Sequence, residues 1–402
     1  MLRQRGRVGL VTAALVGLVV SGAHAQDVTT ERSASILIFP KVIADGTRDT
    51  IIQITNTGNS MVNVHCFYVD GGPVDFFSPV SLLNPPRCSE VDFDFLLTKQ
   101  QPTHWVASLG RVPDPFATPC SPGNDGDDCN DAGLFTGQVP PVVQPFTGEL
   151  KCIEVDMSGN PVSGNHLKGE AEIETANVCD PFEGSCVIDG NDTCTTNSDC
   201  LDVFDVAKYN AIGIEGNENN NGDNVLCLGG GVTAQCPNGA EYDACPAVWI
   251  ANHYADDAPD PVAGPDSDVD TDWTFVPCTE NFESQAPTPL TIQILTYNEF
   301  ENVFSESLSF SCWADLRLED IGSGESVFGI GTLNSTFAES RLRSANATAS
   351  GFLMIQSETH NTADDWATFA DVNNHVEGRR TQGDTITVPF DQLSIGGVGG
   401  NP

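Results

Sequence analysis

The chain has 402 residues, with 56 acidic against 17 basic side chains and a formal charge of −39 at pH 7. A field of that sign repels nucleic acid and anionic membranes, which excludes both as partners. Only 18% of residues are charged while Gly and Pro number 38 and 25, a balance that suits short strands joined by many turns rather than long amphipathic helices.

In chain order, residues 1–25 read as an export signal. Arg3, Arg5 and Arg7 precede an apolar run from Val8 to Val20, and Ala23-His24-Ala25 forms a small-x-small cleavage site. The run is too short for a comfortable membrane span, so no transmembrane segment is expected in the mature chain. After a linker at 26–34, a first β module is expected over 35–214. It opens on the apolar strand ILIFPKVI and continues through Asp49 to Asp70, where two β-rich runs flank Asn56-Thr57-Gly58-Asn59 and predict a hairpin. Alternation places Val62, Val64, Cys66 and Tyr68 on one face of a half-buried strand. Further strands are predicted at Glu90–Leu97, His104–Leu109, Gly148–Val155, Lys168–Glu174 and Val206–Ile214, with a Pro-, Gly- and Asp-rich insertion at 112–144. Residues 215–245 continue a Cys-rich connector that has too little apolar periodicity to bury a core of its own. A second module is expected over 246–390, with a hairpin in Leu290–Leu316 and a strand at Gly351–Glu358, followed by a flexible tail at 391–402.

The halves restate one another in four places, in the same order. Leu37–Asp49 runs against Val248–Asp260, Ile52-Gln53-Ile54 against Ile292-Gln293-Ile294, the segment around Cys66 against that around Cys312, and residues 164–169 against 373–378. The last pair aligns His166 with His375, and a side chain that recurs in both copies is expected to serve folding. Fourteen cysteines in an exported chain, with no Cys-x-x-Cys pair, predict a disulfide framework rather than zinc sites. The local pairings expected are Cys120 with Cys129 and Cys278 with Cys312.

The stretch from Thr50 to Asp70, with its Thr-Asn-Thr-Gly-Asn turn, resembles the immunoglobulin-like β-sandwich repeats of exported bacterial proteins. The chain is also similar to secreted bacterial proteins that share the ILIFPKV opening. The first resemblance implies an all-β fold, two tandem immunoglobulin-like β-sandwich modules joined by a disulfide-rich connector, acting as spacer, adhesin or stalk.

Candidate chemistry is sparse. Asp266, Asp268, Asp270 and Asp272 alternate in DSDVDTD, and Asp125 and Asp127 lie in another acidic loop, so both stretches offer the hard oxygen ligands that calcium takes. Neither completes an EF-hand. Trp249, Trp273 and Trp366 make the second module the better candidate for stacking on sugars. No nucleophile elbow, metalloprotease signature or phosphate loop occurs. The expectation is an exported, non-catalytic structural or recognition protein with a protein or glycan surface partner. The alternatives are a glycan-binding module, or a glycoside hydrolase whose two carboxylates the sequence cannot select among 56 acids.

Overall fold

The computed structural model describes residues 28–74, 85–112, 120–123, 137–176, 179–180, 185–186, 203–217, 222–261, 264–322, 326–345, 349–361 and 367–389. The expected signal, the tail and most of the 112–144 insertion, with Asp125 and Asp127, lie outside them.

The chain is all-β, and its strands form small, almost entirely antiparallel sheets. The first sheet runs Ile212–Ile214, Ile36–Ala44, Phe146–Val155, Val62–Asp70, Ser89–Leu97, and the second runs Val203–Asn210, Leu167–Ala176, Arg48–Asn56, Pro102–Val106. The third is ordered Val303–Ser311, Pro289–Asn298, Phe337–Ser344, Pro246–Tyr254, His375–Arg379. The fourth is Ala258–Asp260, Gly264–Pro277, Phe352–Asn361, Ala367–Asn373, with Ala314–Arg317 also on Gly264–Pro277. In the fifth, Val225–Leu228 from the Cys-rich connector pairs with Asp384–Thr387, which takes Glu280–Asn281 on its other side in parallel. A two-stranded ribbon joins Cys179–Asp180 to Ser185–Cys186.

The five larger sheets stand as five propeller-like blades rather than as the two immunoglobulin-like sandwiches expected. The connectivity shows why the resemblance fails. An immunoglobulin-like module keeps its first two and last two strands together in a sheet. Here Ile36–Ala44 and Arg48–Asn56 part company, as do Val203–Asn210 and Ile212–Ile214. For the same reason the hairpin expected around Asn56–Asn59 does not form. Arg48–Asn56 pairs with Pro102–Val106 and Leu167–Ala176, while Val62–Asp70 pairs with Ser89–Leu97 and Phe146–Val155. The hairpin expected in Leu290–Leu316 is present, with Tyr297 opposite Val303.

One continuous core runs through both halves, from Ala34 to Val388. The strand expected to be half-buried, Val62–Asp70, is buried at every position. On one face Tyr68 packs on Phe93 and accepts a 2.7 Å hydrogen bond from Trp105 Nε1. On the other, Phe67 stacks on Phe282 of the second half at 4.1 Å. Burial on both faces follows from the second half covering the first sheet.

The disulfides reinforce this union. Cys66–Cys152 spans neighbouring strands, Cys88–Cys312 ties the halves across 224 residues, and Cys245–Cys278 and Cys227–Cys236 close shorter loops. The expected Cys278–Cys312 pairing is therefore replaced. Cys245 and Cys278 sit at the ends of strands starting at Pro246 and ending at Pro277, with Cα atoms 6.6 Å apart, whereas Cys312 ends a hairpin that reaches Cys88. Cys120 is disulfide-bonded and Cys129 lies outside the described residues.

Candidate functional site

The chemically capable side chains of this protein gather at the junction of the halves. The ILIFPKV opening leads there. Register shifts between Phe39 and Val42, so Pro40 and Lys41 bulge out of the ladder to Phe146–Val155, and a bulge re-aims a side chain. The exposed backbone is then captured from the other strands. Trp313 Nε1 donates to the Pro40 carbonyl at 2.8 Å, and Tyr209 donates to the Lys41 carbonyl at 2.5 Å.

Lys41 is 5% exposed and crosses to the second half. Its Nζ lies 3.2 Å from Asp315 and donates to Ser357 Oγ at 3.0 Å, and Ser357 donates onward to Asp371 at 2.5 Å. Thr274 donates to Asp315 at 2.6 Å. Burial pulls the Lys41 ammonium down, but Asp315, Asp371 and Asp272 outweigh it and hold its pKa above the usual range. Asp272 is pushed up to about 6, first by burial and then by Asp315. The recess lined by Lys41, Arg48, Asp272, Ser357 and Asp371 holds about 40 Å³, roughly the share of one water.

A second cluster lies on the same face of the first sheet. Lys151 is fully buried, holds both oxygens of Glu149 at 2.8 Å, and pairs with Glu280 of the second half. Burial and then Glu280 push the Glu149 carboxyl well above its ordinary range, against the pull of Lys151. Nearby, His65 Nε2 meets Asp92 at 3.0 Å and its ring stacks on Phe67 at 4.3 Å. Gly71 completes the seam by its size, since a Cβ there would come within 2.3 Å of the Trp313 ring.

The expected ligand residues are placed differently. Trp249 and Trp273 are 3% and 0% exposed, with their Nε1 groups bonded to Phe352 O and Gln356 Oε1. A ring enclosed in the core cannot stack on a sugar, so the stacking expectation is withdrawn for both. Trp366 lies outside the described residues. Asp268, Asp270 and Asp272 share one face of the strand Gly264–Pro277, and the Asp266 side chain lies outside the described residues. Asp270 pairs with Arg317 and Asp272 faces Lys41 and Asp315. The carboxylates that do converge are Asp256, Asp257 and Asp270, whose oxygens lie within 4.8 Å of one another.

The repeated histidines also diverge. His166 Nδ1 donates to the Glu154 carboxylate at 2.7 Å beside the strand Leu167–Ala176, whereas His375 opens a strand with its side chain exposed.

Two open clefts remain. One of about 390 Å³ is lined by Gly229, Gly230, Tyr242, Asp243 and Arg380. The other, of about 360 Å³, lies on the outer face of the second sheet. There His104, Gln53, Glu170 and Asn210 form a polar row across four strands, with Thr55 and Lys168 in the next row.

Sequence reasoning missed Lys41, Lys151, Glu149, Glu280, Asp256 and Asp257. A signal existed for the lysines, because each is the only cation in an apolar strand, ILIFPKVIA and FTGELKCIEV, and such a charge needs a buried partner.

No family model and no curated protein matches the chain. A solved structure, that of Thermotoga maritima 1070, aligns with 33% of this chain and 97% of its own length at 11% identity and a TM-score of 0.23.

Proposed function

We propose that this protein is an exported, non-catalytic structural or recognition protein of a cell surface or extracellular matrix. One observation carries the reading: the buried charged side chains Lys41, Lys151 and Glu149, with Asp315 and Glu280, are engaged in ion pairs that hold the halves together. A group enclosed this way orders the fold but meets no substrate. The acidic surface and the disulfides support an exterior setting. The test is localisation in the native cell by fractionation and surface proteolysis. Recovery in the reduced cytosol with free thiols would remove the proposal.

A glycan-binding role is the second reading, and the polar row across the second sheet favours it over the tryptophans. Glycan-array binding that is lost on Gln53→Ala and His104→Ala but kept on Trp249→Phe supports that assignment, and uniform array signals oppose it. Calcium enters this account at Asp256, Asp257 and Asp270, where one carboxylate of the DSDVDTD stripe meets two from outside it.

A further inference from the structure

The third sheet ends on a long edge strand. Strand Val303–Ser311 pairs along its whole length with Pro289–Asn298 and, among the described residues, with no other strand. Edge strands of soluble proteins are usually blunted by Lys, Pro, a bulge or an inward charge. VFSESLSFS has no Lys and no Pro, its register is unbroken, and its one guarding feature is Glu306, on the inner face between Phe304 and Leu308.

The outward-facing amides can be identified. Asn298 N–H donates to Asn302 O at 3.1 Å. Antiparallel pairs alternate between bonded and non-bonded, so 296/304 and 294/306 are bonded while 293/307 is not. Ser307 N–H accordingly points away from its partner strand, and it donates to the Glu306 side chain at 2.9 Å. Val303, Ser305, Ser307, Ser309 and Ser311 thus present the free edge.

That edge is nearly palindromic about Ser307. Ser305 mirrors Ser309, Phe304 mirrors Phe310, and Glu306 mirrors Leu308. We propose that Val303–Ser311 is a self-pairing edge, on which the same strand of a second copy of this chain docks antiparallel with Ser307 on the two-fold axis.

In that register every outward amide meets an outward carbonyl, because odd positions face odd positions. Phe304 lies opposite Phe310 of the second copy, and Glu306 opposite Leu308 rather than opposite another carboxylate. The two Glu306 groups stand on a diagonal about 7–8 Å apart. Such an interface is isologous and closes at the dimer. Its main opponent is the charge of −39 on each copy, which salt screens.

Sedimentation velocity of the disulfide-bonded chain at about 0.05 and 0.5 M NaCl tests the pairing. The expected result is a doubling of mass that grows with salt and with protein concentration. Ser307→Pro removes an amide the hairpin does not use, and it is expected to weaken the dimer at least about tenfold. Ser307→Lys, which places two cations on the axis, gives the same loss should proline unfold the hairpin. A wild-type chain that stays monomeric at about 100 μM in both salts overturns the proposal. So does a dimer that neither substitution weakens.

Discussion

Replacing Lys151 by Met keeps the length and shape of the side chain and removes only the ammonium. Lys151 is 0% exposed and its charge is shared between Glu149, also 0% exposed, and Glu280 at 6%. Without it, two buried carboxylates face one another, and breaking a buried ion pair from one side costs about 3–5 kcal/mol. The sign with pH follows from Glu149. Burial and Glu280 already raise its pKa in the folded chain, so its favourable contribution is present below the ordinary glutamate range and lost as pH rises through the folded value. Loss of Lys151 raises that folded value further. Urea unfolding should therefore find the variant about 3–5 kcal/mol less stable at pH 7.5, with the deficit shrinking as pH falls toward about 4.5. Replacing the trio together, as Glu149→Leu, Lys151→Met and Glu280→Leu, should recover most of the loss. A Lys151→Met deficit below about 0.5 kcal/mol, or one that ignores pH, refutes the reasoning.

Three other outcomes follow from the same packing. Removing Cys88–Cys312 by paired serine substitutions opens a 224-residue loop and should cost about 5 kcal/mol on the chain-entropy account, read from the shift in unfolding midpoint; an unchanged midpoint opposes a bond that unites the halves. His253 is fully enclosed, its Nδ1 donates to Tyr254 O at 2.8 Å, its Nε2 lies 2.9 Å from Ser340 Oγ, and burial lowers its pKa to about 4. The unfolded chain then binds the extra proton first, so stability is lost as pH falls from about 6.5 to 4, by up to about 3 kcal/mol, and His253→Asn should flatten that part of a stability–pH profile. Trp273→Ala should lower stability by about 3–5 kcal/mol in thermal or urea unfolding, whereas loss of a ligand without loss of stability would place that ring at a surface after all.

Much of the strand inventory was legible in the sequence, because period-two alternation is a local property. Ser89–Leu97, Phe146–Val155, Leu167–Ala176 and Phe352–Asn361 all appear within two or three residues of their expected bounds. Pairing was less legible. Asn56-Thr57-Gly58-Asn59 carries hairpin chemistry, yet the chain uses it to cross between sheets, a choice made by the distant strands Leu167–Ala176 and Phe146–Val155. The tryptophans misled for a related reason. Exposure depends on what packs above a residue, and Trp273 is enclosed by His253, Phe275 and Phe328, drawn from three separate segments. The acidic stretch DSDVDTD was expected as a loop, but it lies within the strand Gly264–Pro277, because its partners Lys41, Asp315 and Arg317 come from elsewhere in the chain. The opening ILIFPKV was noticed as a motif, and its Pro-Lys step is the part that reaches the junction.

The central claim is that the two halves are one united body whose polar groups hold the seam. Peptide mapping of the unreduced protein by mass spectrometry tests it most directly. The account predicts a linked pair containing Cys88 and Cys312, together with a separate pair containing Cys245 and Cys278. Finding Cys278 joined to Cys312, with no bond between the halves, would contradict it.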